Sequence, residues 1–357
     1  MMEKIQIKIG DVAIGGGAPV SVQSMTNTKT DDVEKTVCQI KELADAGCDI
    51  VRLAVLNKDC AAALKDIKKK SPVPLVADIH FDYRLALAAM DAGIDALRLN
   101  PGNIGGEDHV KKVVDMAKKT ETPIRIGVNG GSLEKYLIED KSMPLSEKMV
   151  KSALDHIQIL ERNDFHLIKV SLKSSDVQTT IDAYRSIYEK IPYPLHLGVT
   201  EAGTLRGGII KSAIGLGSLL SQGIGDTIRV SLTENPVEEV RAGIDILKAL
   251  KLRKEGINFV SCPTCGRCQI DLIGLAHRVE DRIKGKFEEK FKKLKHSVTI
   301  ATMGCPVNGP NEAKDADYGI AGAIGEGYIF KKGVLVKKVK EENLLDEFEN
   351  LIIQDFN

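Results

Sequence analysis

Residues 261–269 read SCPTCGRCQ and residues 303–313 read MGCPVNGPNEA, so three thiols stand at C-x2-C-x2-C spacing and a fourth, Cys305, stands beside Pro306. Thiolates so spaced bind zinc or an iron–sulfur cluster. The amino terminus, MMEKIQIKIGD, shows no signal-peptide run, and seven cysteines behind it point to a reducing compartment, the cytoplasm by default. Disulfides are then a poor explanation of the cluster. A structural zinc site takes two close pairs, whereas the second segment offers Cys305 alone, followed by proline as in ferredoxin-type runs. The spacing favours a cubane iron–sulfur cluster over zinc, and taken alone it selects Cys262, Cys265, Cys268 and Cys305. Cys38, Cys48 and Cys60 fall in or beside helical apolar patterns and are expected to be small buried hydrophobes.

Five expected strands share the tetrad aliphatic–cation–aliphatic–small or polar. They are VRLA at Arg52, LRLN at Arg98, IRIG at Arg125, IKVS at Lys169 and IRVS at Arg229. Strand side chains alternate, so the aliphatics face covering helices and the cations face inward together. One buried cation can be an internal ion pair. Five need more anionic charge than the expected inward acids, Asp78 in VADIHF and Glu201 in GVTEAG, supply. The deficit points to a strongly anionic ligand, since guanidinium forks suit phosphate oxygens. Gln23, His80, Asn100, Asn129, Ser171, Glu201 and Ser231 fall near the carboxyl ends of the strands, where barrel enzymes place their sites. The whole set reads as a pocket for a small, multiply phosphorylated molecule, with Arg229 deepest by strand position.

The elements that must hold these residues alternate between short apolar strands and amphipathic helices from about residue 20 to residue 250. The strands are VSVQSMT, IVRLAV, LVADIHF, ALRLNP, PIRIGVN, HLIKVSLK, PLHLGVT and TIRVSLT. Eight such units predict a closed (β/α)8 TIM barrel over residues 1–253, with the hairpin-like IQIKIGDVAIGGG capping one end. An internal repeat, DAGCDIVRL (45–53) and DAGIDALRL (91–99), places Gly47 and Gly93 where a helix ends. After KLRKEG the pattern changes to a smaller α+β domain over residues 254–357, including a helix in IDLIGLAHRVEDRIKG, a strand in SVTIATMG, a hairpin in YIFKKGVLVKKV and a last helix. The 357 residues carry equal numbers of basic and acidic side chains, 50 of each, which argues against a dedicated nucleic-acid binder.

In this order, ADIHFD, RIGVN, LHLGVTEAG, SCPTCGR and MGCPVNGPNEA resemble the bacterial 4-hydroxy-3-methylbut-2-enyl diphosphate synthases of the methylerythritol phosphate route to isoprenoids, over essentially the whole chain. The resemblance implies a substrate-binding barrel followed by a [4Fe–4S] domain. It implies reductive opening of methylerythritol cyclodiphosphate, with electrons from flavodoxin or ferredoxin. It places the cluster ligands at Cys262, Cys265, Cys305 and Glu312, leaving Cys268 out. A carboxylate is a weaker, exchangeable ligand, so Glu312 can give way where a fourth thiolate would not. Glu201 matches the family's catalytic glutamate. Arg52, Asp78, His80, Arg98, Asn100, Arg125, Asn129, Lys169, Ser171 and Ser231 are then expected to bind or orient the substrate. Family members are homodimers in which one chain's cluster domain caps the other's barrel. Asn311 departs from the family, which commonly has glycine there. Arg267 and Asn308 stand beside the ligands as candidates for hydrogen bonds to cluster or substrate.

Two other readings are weaker. A zinc-bearing RNA-binding module would need basic charge and aromatic stacking platforms, and aromatics make up 4% of the chain. Radical enzymes that split S-adenosylmethionine carry C-x3-C-x2-C near their first strand, unlike the spacing and position here.

Overall fold

The structure, a computed structural model, describes residues 4–356 apart from positions 267, 269, 295 and 306–312. Its contacts divide into two compact units, Met1–Arg253 and Lys254–Asn357.

In the first unit β1 (Ile7–Ile9) and β2 (Val12–Ile14) form an antiparallel hairpin. Then follow β3 (Ser21–Met25), α1 (Val33–Asp45), β4 (Ile50–Ala54), α2 (Lys58–Lys70), β5 (Leu75–Asp78), α3 (Tyr83–Asp91), β6 (Ala96–Arg98) and α4 (Glu107–Thr120). The second half runs through β7 (Ile124–Asn129), α5 (Lys135–Glu139), α6 (Leu145–Arg162), β8 (Ile168–Lys173), α7 (Val177–Tyr188), β9 (His196–Leu197), α8 (Leu205–Leu220), β10 (Thr227–Ile228) and α9 (Pro236–Ala249). Strands β3 to β10 are parallel; β10 pairs with both β3 and β9, and a bridge between Val170 and Leu195 joins β8 to the entry of β9. This is the (β/α)8 barrel. β9 and β10 are shorter than the apolar runs PLHLGVT and TIRVSLT suggest, because pairing stops at Leu197 and Ile228.

Local chemistry explains the punctuation. Side chains of Asp32, Asn57, Asp82, Asp176 and Asn235 accept backbone N–H groups of the helix turn that follows each. Gly47 and Gly93 take φ of +97° and +82°, the left-handed conformation that ends α1 and α3. The second aspartate of each repeat has its own task. Asp49 accepts the Val22 N–H and Asp95 the Leu75 N–H, both at 2.7 Å, tying each incoming strand to the one before it. Asp226 does the same for Leu195.

Outward residues of the strands, such as Val22, Val51, Leu53, Leu97 and Ile126, form one continuous core with the inner faces of the helices. The hairpin closes the amino-terminal end of the barrel: Ile7, Ile9 and Ile14 pack on the inward Ile50, Val76 and Ala96. Each such buried isoleucine contributes roughly 1.5–3 kcal/mol. Of the three cysteines expected to be buried, Cys48 and Cys60 are, and burial pushes the Cys48 thiol up to about 12. Cys38 is exposed, because its position on α1 falls outside the apolar stripe of Val37, Ile40 and Leu43.

The second unit is a five-stranded sheet of β11 (Ile257–Ser261), β12 (Val298–Met303), β13 (Tyr318–Ala323), β14 (Glu326–Lys331) and β15 (Val334–Lys340) in that order. The first three strands are parallel and the last two fold back antiparallel. Helices α10 (Leu272–Lys292) and α11 (Leu344–Phe356) bury Val279, Ile283, Phe287, Phe291, Phe348 and Ile352 against Ile300, Ile320 and Ile329. No helix among the described residues is long and apolar enough to cross a membrane.

Candidate active site

Alternation along β3 to β10 turns one side chain in two into the barrel. The ladders set Asp78, Arg98, Arg125 and Lys169 side by side on β5 to β8. Asp78 meets two guanidiniums, Arg98 Nη1 at 3.3 Å and Arg52 Nε at 3.5 Å. Burial pushes its carboxyl up, yet Arg52, Arg98 and Arg125 outweigh that and hold it below the usual range. His80 Nε2 stands 3.9 Å from Asp78 and is half exposed. Arg98 lies across β7, donating from Nη2 to Gly127 O at 2.9 Å. A Cβ on Gly127 would come within 2.5 Å of Arg98 Nε, so glycine makes room for that guanidinium.

Other inward cations are poorly compensated. Arg125 donates from Nη1 to Ser171 Oγ at 2.7 Å, while its Nε and Nη2 are buried without a partner, as is Lys169 Nζ. Burial, reinforced by neighbouring cations, lowers Arg125 and Lys169 well below their ordinary values; burial brings Arg52 down to about 10 against the pull of Asp78. Gln23 and His196, both buried and inward, likewise have polar side-chain atoms without partners. Burial and the surrounding cations keep His196 neutral. Orphaned donors concentrated in one interior are the mark of a site that takes up water or an anionic ligand.

Three expectations change. Asn100 bonds the backbone of Gly127 with both ends of its amide, at 3.0 and 2.8 Å, and so braces β6 to β7. Glu201, expected as an inward acid, is exposed and holds a left-handed φ of +51° in the loop after β9. The second inward acid is instead Glu239, on α9, which pairs with Arg229 at 3.2 Å. Strand parity could not reveal a carboxylate carried on a helix. Lys173 was also missed. It is buried at the end of β8, two pleats above Lys169 in IKVSLK, and parity alone would have found it. Burial and Arg125, Arg229 and Arg52 lower its amine well below the ordinary value. Its Nζ lies over Gly198, where a Cβ would come within 2.7 Å. Asn129 is half-buried at the end of β7, and Ser231 is half-buried in the segment that follows β10.

In the second unit β11 and β12 run parallel with Ser261 opposite Thr302, so Cys262 and Cys305 leave neighbouring strands at the same end. Cys262 N–H donates to Thr302 O at 3.3 Å, and Gly304 N–H to Cys262 Sγ at 3.2 Å. Cys268 N–H donates to Cys265 O at 2.9 Å, closing the C-x2-C turn. The Cys268 thiol faces Ile270 O at 3.4 Å and covers Gly304. All four are thiols, not disulfides. Glu312 lies outside the described residues, as do Arg267, Asn308 and Asn311. Among the described residues, no three Cys, His, Asp or Glu side chains are gathered to hold a metal ion.

Fold and site define a class: a cation-lined (β/α)8 barrel joined to an α+β unit with thiols at its parallel strand ends. Residues 4–244 match the GcpE TIM-barrel domain and residues 258–354 the GcpE protein C-terminal domain. The chain belongs to the GcpE family. It is 57% identical over 350 residues to a Clostridium perfringens protein curated as 4-hydroxy-3-methylbut-2-en-1-yl diphosphate synthase (flavodoxin), covering 98% of each chain. A Fusobacterium nucleatum protein of the same name is 56% identical, covering 98% of this chain and 96% of the relative. Among solved structures, a dihydropteroate synthase from Stenotrophomonas maltophilia superimposes with a TM-score of 0.50 at 14% identity, covering 69% of this chain and 97% of that one, a likeness of fold alone.

Proposed function

We infer that the chain is an oxidoreductase of isoprenoid biosynthesis. It opens the ring of 2-C-methyl-D-erythritol 2,4-cyclodiphosphate and yields 4-hydroxy-3-methylbut-2-enyl diphosphate. The reaction takes up two electrons and two protons, breaks the C–O bond to one phosphate, and releases a hydroxyl as water. Names of relatives at 57% and 56% identity, covering nearly the whole chain, support this reading. The observation that carries it is the interior of the barrel, where Arg125 and Lys169 are buried with unpaired donors. A diphosphate supplies the missing negative charge. At an effective dielectric near 20, a cation ~4 Å from an anionic oxygen gains roughly 4 kcal/mol.

Roles follow from position. Arg52, Arg98, Arg125, Lys169 and Lys173 hold the diphosphate, with His80 and Ser231 at the rim. Asp78 orients Arg52 and Arg98, whose guanidiniums it already holds. Ser171 fixes Arg125, and Asn129 faces the substrate hydroxyls. Glu201 delivers the proton that lets the hydroxyl leave; its strained, exposed backbone suits a group that must reach a ligand from a loop.

The soft thiols of Cys262, Cys265 and Cys305, with a backbone N–H already directed at Cys262 Sγ, fit an iron–sulfur centre. These thiols, with Glu312 as fourth ligand, would hold a [4Fe–4S] cluster, which when bound would supply the two electrons one at a time. Flavodoxin or ferredoxin, in the cytoplasm, would be the source of those electrons. A homodimer brings the cluster unit of one chain over the barrel of the other. Leu56 and Phe81 on the loops after β4 and β5, Tyr136 and Ile138 on the short α5, and Leu205 at the start of α8 are exposed and support such a covering partner.

Anaerobic turnover of the cyclodiphosphate with reduced viologen tests the reading. Glu312→Gln is expected to be badly impaired and Cys268→Ser nearly normal. An inactive Cys268→Ser enzyme with an active Glu312→Gln one would reverse the ligand assignment. For the dimer, Glu201→Gln mixed with Cys305→Ser restores partial activity if sites are shared between chains; exchange of subunits without recovery places each site within one chain.

A further inference from the structure

We propose that Glu239 is a positioning residue that holds Ser231 at the rim of the phosphate site and keeps Arg229 out of it. The proposal rests on the functional reading above and adds a residue on a helix to it.

The β10–β3 ladder ends at Ile228 opposite Val22. Beyond that point the ladder to β3 is gone, and the segment that carries Arg229 and Ser231 keeps its backbone bonds on the β9 side, Arg229 N–H to Leu197 O and Thr233 N–H to Gly203 O, both at 3.0 Å. The Glu239 carboxylate, buried at 4% exposure in the first turns of α9, takes over. Its Oε1 accepts the Leu232 N–H at 3.0 Å, and its Oε2 accepts the Ser24 hydroxyl of β3 at 3.0 Å. Arg229 donates from Nε to Oε2 at 3.2 Å and from Nη2 to both oxygens at 3.3 and 3.2 Å. One carboxylate therefore ties together a backbone N–H past the ladder, a hydroxyl of β3 and the Arg229 guanidinium.

Two consequences follow for ligand binding. Leu232 is the neighbour of Ser231, so the bond to its N–H sets where the Ser231 hydroxyl stands. Arg229 has its charge matched by Glu239, unlike Arg125 and Lys169, whose buried donors are unpaired. Four inward cations of the tetrad strands are left for the anion, and the fifth belongs to the scaffold. A charge-assisted bidentate pair of this kind is lost when the carboxylate becomes an amide.

The experiment uses the full chain with its cluster reconstituted anaerobically. Inorganic pyrophosphate affinity is measured by titration calorimetry, and KM and kcat for the cyclodiphosphate by viologen-driven turnover. The variants are Glu239→Gln, Ser231→Ala and the double variant. Glu239→Gln should weaken pyrophosphate and raise KM by ~10-fold while kcat stays within about twofold, the pattern of lost ground-state binding. If Glu239 acts through Ser231, the double variant is no worse than the more damaging single one. Losses that multiply, or a fall in kcat at unchanged KM, would overturn the proposal. Should Glu239→Gln fail to fold, Ser24→Ala carries the test, since it removes one donor to the same carboxylate. It should weaken pyrophosphate by ~2–3-fold with kcat intact, and no change would again overturn it. A parent enzyme that neither turns over nor binds pyrophosphate overturns the functional reading itself, and the proposal with it.

Discussion

The barrel and the α+β unit prepare for chemistry in opposite ways. In the barrel, hydrogen-bonded ladders fix the charged side chains before any ligand arrives, with Asp78, Arg98, Arg125 and Lys169 in register on four adjacent strands. Stability is given up there, because buried cations without partners are unfavourable. In the α+β unit the strands bring Cys262 and Cys305 to the same sheet end, yet no three described ligand side chains are gathered for a metal. One site is built by the fold and tolerates its own repulsion. In the other, the fold presents thiols at one sheet end, and the proposed cluster would draw its ligands together.

The sharpest separation of the two comes from Cys305→Ser. If Cys305 ligates the proposed cluster, its loss should lower turnover by ~10³-fold or more and remove the broad visible absorption that a reconstituted cluster would give. Pyrophosphate affinity should stay within about threefold of the parent, because the cations stand in the other unit. Equal loss of both properties would show that the barrel site is not preformed.

Arg125→Met probes the opposite side. Removing a buried, half-satisfied guanidinium relieves like-charge contact with Arg52 and Arg98, so the ligand-free protein should gain ~1–3 kcal/mol of stability. KM for the cyclodiphosphate should rise ~100-fold. Urea unfolding and steady-state kinetics check the pair of effects. A variant that loses stability as well as affinity would mean that Arg125 is a structural brace.

Protons give a subtler measure. Burial holds Lys169 and Lys173 well below the ordinary lysine value in the folded chain. Between the folded and ordinary values the unfolded chain binds more protons, so these groups make stability rise as pH rises through that window. An anion beside them restores the charged form. Pyrophosphate binding near pH 8 should therefore take up ~1 proton, seen as a calorimetric heat that varies with the buffer, and less in Lys169→Met. Binding without proton uptake would mean that both amines are already charged.

The sequence made the barrel readable wherever one periodicity governed. Strand parity located Arg52, Arg98, Arg125 and Lys169, and the glycines of the DAG repeat marked helix ends. The same parity contains Lys173, which lies beyond the tetrad at the end of β8. What parity cannot express is a partner arriving from another layer. Glu239 sits on a helix, and its effect on Arg229 exists only once α9 packs over β10. GVTEAG looks like the continuation of a strand and so suggests an inward Glu201, but pairing stops at Leu197 and the residue is exposed in the loop beyond. In the second unit INFVS and YGIAGA carry too few residues and too many small ones to stand out as strands, yet β11 and β13 flank the strand that leads to Cys305. Cys38 was placed in the core by its surroundings, although the helical repeat puts it one step off the buried stripe.

Asn100 offers the smallest and most discriminating test of a preformed barrel. Both ends of its amide are spent on the backbone of Gly127, the residue across which Arg98 lies. Asn129, two residues beyond Gly127 on the same strand face, is half-buried and stands nearer the open end. If the ladders set the geometry, Asn100→Ala should cost ~1–3 kcal/mol of stability, the loss of two buried hydrogen bonds, and change KM by no more than about threefold. Asn129→Ala should do the reverse, leaving stability within ~0.5 kcal/mol and raising KM by ~10-fold. The two variants differ in which property moves, so a single pair of unfolding curves and rate measurements separates brace from ligand. An Asn100→Ala enzyme that folds as well as the parent but binds substrate poorly would return Asn100 to the substrate and leave Gly127 to be held by Arg98 alone.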